Sequence, residues 1–351
     1  MAEPIKMFVG CDIGDRKSDL CVLDVGGTPI EWVKVKTEAA AIREWFARCP
    51  RALVVIEVGT HSRWFSRVVE GCGHEVVVAN PRRVQLIAKS RRKSDQRDAE
   101  LLARLGRFDP SLLSPIQHRS DAAQADLVLL RSRDTLVRER TRLVNHLRGI
   151  VKPFGLRFPS CQPANLPKRV AELVPAYLSP ALEPVLKCLE AIALQINECD
   201  ERLVNRASEA YPETIHLSQI NGVGPVTSLA FVLTLEDPRR FRNSRAVGAF
   251  LGLTAARHQS GDSDPECRIS KEGDPYVRRL LVQCAQYILF RGPESDLKRW
   301  GLVLAARGKK NAKKRAVVAV ARKLAVLLHR LWSSGEPYVP LGYNASKQAA
   351  A

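Results

Sequence analysis

Hydrophobic positions change rhythm along the chain. Between residues 6 and 80 they fall in short apolar runs separated by turn residues. Runs at 7–13, 19–25, 30–35, 52–56 and 75–78 predict five strands. Asp24-Val-Gly-Gly-Thr28 between the second and third runs predicts a hairpin turn, and helical spacing covers 38–48 and 63–70. A further helix is predicted from Asp95 to Arg107. After residue 120 the rhythm lengthens. A long helix begins at Asp121, with Leu129, Leu136, Leu143 and Ile150 recurring every seven residues. Pro153, Pro159, Pro163 and Pro167 then predict a loop-rich connector over 152–180. In a second long helix Leu182, Val185, Leu189, Ile192, Ile196, Cys199 and Leu203 alternate in steps of three and four, the spacing of a coiled-coil seam. So narrow a seam suits a partner helix, so self-association is expected over packing on its own domain.

A third region starts near Ser218. It reads as a compact helical segment, a Gly/Ser/Asp-rich stretch at 257–274, a helix over 275–289 and a last helix at about 311–332. The expected organisation is an α/β domain at 1–120, long helices with a Pro-rich connector at 121–212, a mostly helical all-α domain at 213–340 and a disordered tail at 341–351.

The 351 residues suffice for two or three cores. Lys and Arg number 55 against 37 Asp and Glu, a formal net charge of +18. Such an excess favours a polyanionic partner, because bound Lys and Arg release the counterions of phosphates. The cations cluster. Arg82, Arg83, Lys89, Arg91, Arg92 and Lys93 stand together with no acid over 81–93, and Lys309, Lys310, Lys313, Lys314 and Arg315 open the last helix. Both clusters suit nucleic-acid contact, with a solvated charged face as the bland reading. No apolar run follows a basic start, and Arg322 and Lys323 break the longest apolar stretch near the C-terminus, so neither a secretory signal nor a membrane span is expected. Nine cysteines, with no Cys-x-x-Cys pair, read as reduced thiols in a cytoplasm and not as a zinc site or a disulfide framework.

Four carboxylates stand out by position. Asp12 ends the first strand, Glu57 ends the fourth, and Asp95 and Asp98 share one face of a helix. Three hairpin-joined strands followed by alternating helices and strands is the order of a ribonuclease-H-like fold. There the ends of the first and fourth strands are neighbours and a later helix passes beside them. Carboxylates meeting at that point repel unless cations neutralise them. Mg²⁺, with Mn²⁺ as the alternative, takes such hard oxygen ligands, and two ions can clamp the attacking and leaving oxygens of a phosphodiester. The bland reading is four solvated surface charges. Asp12-Ile-Gly14 also fits the phosphate loop of an actin-like or sugar-kinase ATPase. The second loop such a protein needs has only Asp24–Thr28 as a candidate, and that segment sits in the hairpin.

Ile220-Asn-Gly222-Val-Gly224-Pro-Val-Thr227 has the form of a helix-hairpin-helix turn, whose backbone N–H groups would meet a phosphate strand; an ordinary Gly-rich turn is the alternative. Ser270, in Arg268-Ile-Ser270-Lys271-Glu-Gly273, precedes a helix bearing Arg278 and Arg279. On the residues alone it reads as an N-cap or a loop hydroxyl, and no general base is visible beside it.

Taken together these segments resemble the insertion sequence 110 family of bacterial transposases, the DEDD-type recombinases. Phe8-Val-Gly-Cys-Asp12-Ile-Gly-Asp-Arg-Lys, Ile56-Glu57-Val-Gly-Thr and Lys93-Ser-Asp95-Gln-Arg-Asp98-Ala resemble its RuvC-like domain, and Ile220–Thr227, Phe250-Leu-Gly-Leu253 and Arg268–Leu281 resemble its C-terminal transposase domain. The resemblance implies that the acidic tetrad falls on Asp12, Glu57, Asp95 and Asp98 and holds Mg²⁺, and that the nucleophilic serine falls on Ser270. It implies a covalent phosphoserine link to DNA, a structured non-coding guide RNA pairing with donor and target DNA, and a homo-oligomer (dimer or tetramer) in which one subunit's serine completes another's acidic site. Gly222, Gly224, Lys271, Arg278, Arg279, Lys313, Lys314 and Arg315 join the first basic run as expected nucleic-acid contacts. One departure is Glu272, where the family pattern commonly carries a basic residue; it would weaken a phosphate contact. The rival readings are a Holliday-junction resolvase-like metal-dependent nuclease, which would not need Ser270, and a non-enzymatic nucleic-acid-binding protein.

Overall fold

The computed structural model describes residues 4–81, 84, 94–257, 259–261, 263–265, 267–308 and 311–341. Chain contacts divide it into two compact units, Met1–His118 and Arg119–Ala351. The first basic run (Arg82, Arg83, Lys89, Arg91, Arg92, Lys93), Lys309, Lys310 and residues 342–351 lie outside the described residues.

The first unit is a five-stranded sheet: β1 (Met7–Ile13), β2 (Lys17–Leu23), β3 (Pro29–Lys36), β4 (Ala52–Glu57) and β5 (Glu75–Ala79), in the order β3-β2-β1-β4-β5. The hairpin-joined β1, β2 and β3 are antiparallel, while β4 and β5 run parallel to β1. The parallel strands need crossovers, and α1 (Ala39–Phe46) and α2 (Ser62–Glu70) supply them on one face. Ile42, Phe46, Phe65 and Val69 bury there against Val9, Cys11, Val54 and Ile56. The other face takes α3 (Asp95–Phe108), whose Ala99 and Ala103 pack with Cys21 and Leu23, and whose Leu102 and Leu105 pack with Val55. A strand covered on both faces reads as an unbroken apolar run, as Val54-Val55-Ile56 does. β3, at the edge, alternates instead.

β2 begins two residues earlier than its apolar run suggested, because Asp24 closes the following turn: its carboxylate accepts the Thr28 N–H at 2.8 Å. Arrangement in space thus matches the predicted α/β domain with its ribonuclease-H-like strand order.

The second unit is helical. The two long helices, α4 (Asp121–Ile150) and α6 (Ser179–Ala210), pack on each other. Arg133 pairs with Asp200, and Asp126 accepts from Arg206 at 3.0 Å and from the Tyr211 hydroxyl at 2.7 Å. This corrects the expectation drawn from the seam. Leu182 and Leu189 bury against Val144 and Leu147 of α4, and Leu203 joins Leu127 and Leu130, so the chain's own helix fills the seam expected to receive a second copy. The sevenfold series on α4 is not its buried stripe: Leu129, Leu136 and Leu143 are half-buried and Ile150 is exposed. The proline-rich connector is folded as well. It forms α5 (Leu166–Val170) and several short turns, and buries Phe158, Leu166 and Val170 at the end of the hairpin.

A single core joins Leu127 and Leu203 to α7 (Glu213–Ser218), α8 (Pro225–Leu235), α9 (Arg245–Phe250), α10 (Pro275–Phe290), α11 (Asp296–Ala305) and α12 (Ala312–Ser334), so segments 121–212 and 213–340 are not separate compact bodies. No described helix is long and apolar enough to cross a membrane.

Candidate functional site

In the first unit the site follows from strand register. Asp12 pairs with Asp19, and Asp19 with Lys34. One residue past the last ladder pair, Cys11 with Ile56, the same register sets Asp12 beside Glu57. Two residues back, Gly10 and Val55 touch α3, so alternation turns Asp12 and Glu57 to the face that α3 covers. The row Lys34–Asp19–Asp12–Glu57 therefore crosses four strands on one face.

Helix α3 runs opposite to β1: Ala99 lies at Gly10, while Gly106 lies against Val55 and Leu53. Its first turn reaches toward the ends of β1 and β4. The stripe that packs on the sheet, Ala99, Leu102 and Gly106, continues backwards at helical spacing into Asp95 and Asp98. Ser94 caps the helix by accepting the Arg97 N–H at 3.4 Å. Two acids in a first turn also favour the helix through its dipole, which is their structural role whatever else they do. Strand register and helical spacing thus direct the four predicted carboxylates toward the same end of one sheet face. Among the described residues no three His, Cys, Asp or Glu side chains stand close enough to share one metal ion. The donors are all hard oxygens, of the kind Mg²⁺ takes. The charge of Asp12, after burial, raises the pKa of the adjoining Cys11 thiol, which keeps that thiol protonated.

Sequence reasoning missed one acid of the row. Asp19 is buried, and its carboxylate lies 3.2 Å from the Lys34 ammonium. Its signal was available once the register placed it opposite Asp12.

In the second unit Ser270 is not the helix cap. Asp274 caps α10, accepting from the N–H groups of Tyr276 at 2.7 Å and Val277 at 3.2 Å. The Ser270 hydroxyl accepts a long hydrogen bond from the Glu272 N–H, 3.4 Å. Its backbone is tightly held: the Ser270 N–H donates to Thr254 and the Lys271 N–H to Gly252. Gly252 approaches so closely that a β-carbon there would stand 2.2 Å from the Glu272 backbone. Lys271 adopts φ 57°, a left-handed conformation costly for a residue with a side chain. Ser270 is half-buried on this pinned, strained turn.

Its neighbours line a cleft of about 1140 Å³, with Arg257, Arg268, Ile269 and Lys271 on one side and Lys314, Arg315 and Arg322 of α12 on the other; Ser270 itself lies outside the lining. Among the described residues, six cations thus face a single lining acid, Asp264, which Arg257 engages at 3.3 Å. Of the predicted contacts, Lys271, Lys314 and Arg315 line this cleft; Lys313 lies outside its lining. Arg278 and Arg279 are held by the fold. Arg278 donates to the Leu251 carbonyl at 2.9 Å and the Glu272 carbonyl at 2.6 Å, and Arg279 pairs with Asp134. Gly222 packs under the Tyr287 ring, and Gly224 begins α8; both are exposed between α7 and α8, away from the cleft lining. Arg257, Arg268 and Arg322 were not singled out beforehand. A helical signal existed for Arg322, since Lys314, Arg315, Val318, Ala319 and Arg322 fall in steps of three and four.

Two family models match the chain. The family described as Transposase IS116/IS110/IS902 matches residues 215–298, and the DEDD transposases of IS110 type match residues 9–154. The chain is 29% identical over 342 residues to the transposase for insertion sequence element IS1111A of Coxiella burnetii, covering 94% of this chain and 91% of that protein. It is 28% identical over 295 residues to the transposase for insertion sequence element IS1328 of Yersinia enterocolitica, covering 82% and 85%. To a probable family 20 transposase of Pseudomonas aeruginosa it is 29% identical over 318 residues, covering 86% and 90%.

Proposed function

Because this chain belongs to the IS110 family of insertion-sequence transposases, we propose that it moves its element by serine recombination, with Ser270 as nucleophile and Asp12, Glu57, Asp95 and Asp98 as the acidic centre. One observation supports this reading: a serine that does not cap α10, on a strained turn whose neighbours Arg268, Ile269 and Lys271 line a basic cleft. The Ser270 oxygen bonds to the phosphorus of a DNA phosphodiester while one phosphorus–oxygen bond of the strand breaks. The serine loses its proton and the departing strand oxygen gains one. Attack by a new strand end on the phosphoserine reverses these changes and joins the exchanged strands.

The cleft cations bind the strand. Lys271 and Arg268 flank the serine closely enough in sequence to meet the negative charge that grows on the phosphate, while Lys314, Arg315 and Arg322 orient the chain on either side. The four carboxylates would hold Mg²⁺, which when bound lowers the pKa of an oxygen nucleophile and neutralises phosphate charge. The packing of α3 supports this role for Asp95 and Asp98, and strand register supports it for Asp12 and Glu57. The remaining features follow the family resemblance: a structured guide RNA selects donor and target DNA, and subunits assemble so that one serine meets another subunit's acidic centre. The net charge of +18 suits so much polyanion.

The test is covalent trapping. Purified protein, its flanking RNA, Mg²⁺ and labelled donor and target DNA are incubated, denatured and separated on a gel. Label should remain on the wild-type protein and be lost with Ser270→Ala. Cutting without attached protein, unchanged in Ser270→Ala, would leave a metal-dependent nuclease of resolvase type.

A further inference from the structure

The sheet face that carries the acidic row does not end at Asp19. Helix α3 covers β1 and β2, where Cys21 and Leu23 bury against Ala99 and Ala103, while among the described residues Trp32, Lys34 and Lys36 of β3 stay exposed. The opposite face of β3 is covered, since Val33 and Val35 pack into the core beneath α1 and α2. Trp32 pairs with Cys21 in the ladder and so lies on the α3 side, with 49% of its surface exposed. Lys34 and Lys36 follow on the same face, and Lys17 pairs with Lys36. All three lysines are exposed. The nearby acids are engaged: Asp19 by Lys34 at 3.2 Å, and Glu100 of α3 by Arg104 at 2.7 Å.

An indole standing out of an edge strand next to three lysines is poorly suited to water and well suited to nucleic acid. Bases stack on aromatic rings whatever their sequence, and lysines track the backbone. Position strengthens the case. Neighbouring strands lie about 4.8 Å apart and residues advance about 3.4 Å, so Trp32 stands roughly 12 Å from Asp12 on one continuous face. That is a span of a few nucleotides. We propose that β3 is a docking track for single-stranded DNA. An unpaired base of the strand being cut stacks on Trp32, and the neighbouring phosphates lie on Lys17 and Lys36, which delivers the strand to the acidic row. The proposal rests on the reading that this row acts on DNA, and it commits to DNA because the strand engaged at Asp12 is the one that continues across β3. Edge lysines also discourage unwanted strand pairing, but that role requires no exposed indole.

The experiment uses the full chain without divalent cation, so that nothing is cut. Binding of a fluorescein-labelled single-stranded DNA, and of RNA of the same sequence, is measured over a salt series. Photo-crosslinking through iodouracil in the DNA identifies the contacted peptide independently of the basic cleft. Trp32→Ala should weaken DNA binding about tenfold, with Trp32→Phe recovering most of it. The crosslink should fall on the peptide holding Trp32. Lys17→Gln with Lys36→Gln should reduce the salt slope by about 1.4, at roughly 0.7 per single-strand phosphate. Wild-type affinity and no crosslink in β3 would overturn the proposal. So would an effect confined to RNA, or a change of oligomeric state in Trp32→Ala with DNA binding intact, which would make the face a subunit contact. Glu57→Gln separates the two readings: it should bind DNA normally yet fail to cut when Mg²⁺ is added. Continued cutting would refute the acidic centre without touching the Trp32 result.

Discussion

Gly10 and Ala99 meet backbone to backbone: a β-carbon on Gly10 would stand 1.9 Å from the Ala99 carbonyl oxygen. This approach sets how closely α3 lies on β1, and so where Asp95 and Asp98 stand relative to Asp12. Gly10→Ala should push α3 from the sheet and destabilise the first unit by about 1–3 kcal/mol, the usual range for overpacking. Thermal melting followed by circular dichroism measures the loss, and cutting should fall further than stability alone accounts for.

Ser270 and Asp274 make a separable pair. Asp274→Ala removes the cap of α10 and should cost about 1 kcal/mol. Ser270→Ala loses one long hydrogen bond and should leave the melting temperature unchanged while abolishing the protein–DNA adduct. A Ser270→Ala protein that melts as early as Asp274→Ala would return the serine to a structural role.

Removal of the acidic centre should be all-or-none. Asp12→Asn, Glu57→Gln or chelation of divalent cations should each stop strand cleavage while leaving metal-free DNA binding in place. Mixing Asp12→Asn with Ser270→Ala protein should restore measurable cleavage if subunits exchange halves of the site; no recovery would place both halves of a working site in one subunit.

Lys314→Gln and Arg322→Gln should weaken binding to all duplex sequences alike and lower the salt slope by about 0.9 for each phosphate that is no longer neutralised. Arg279→Gln should act differently, because its guanidinium pairs with Asp134: stability should fall, and the salt slope should hold.

Thiol accessibility checks the packing on both sheet faces. Cys21 is buried against α3, which pushes its pKa up to about 11, and burial with the charge of Asp12 raises that of Cys11 as well. At pH 8 both stay protonated, so iodoacetamide should label exposed Cys188 and spare Cys11 and Cys21 until the protein unfolds. Early labelling of Cys21 would show that α3 leaves the sheet.

Strand order and helix positions were legible in the chain because each rests on short-range pattern. Apolar runs of 52–56 type report a doubly covered strand, and Asp12 and Glu57 are marked by ending such runs. Register then follows from the hairpin turn at Asp24–Thr28 and from burying apolar side chains on the right face. What no local pattern contains is which surface meets which. The seam of α6 has the same spacing whether its partner is a second copy or α4, and only the folded chain, with Val144 and Leu147 against Leu182 and Leu189, decides it. The cleft cations come from segments some fifty residues apart, Arg257 to Lys271 and Lys314 to Arg322, and face one another only because α9, α10 and α12 share a core. Arg278 and Arg279 looked equivalent to those cations in sequence; tertiary structure tied them to protein carbonyls and a carboxylate instead. The capping of α10 by Asp274 frees Ser270 by the same logic, since a hydroxyl's availability depends on what its neighbours in space have already taken.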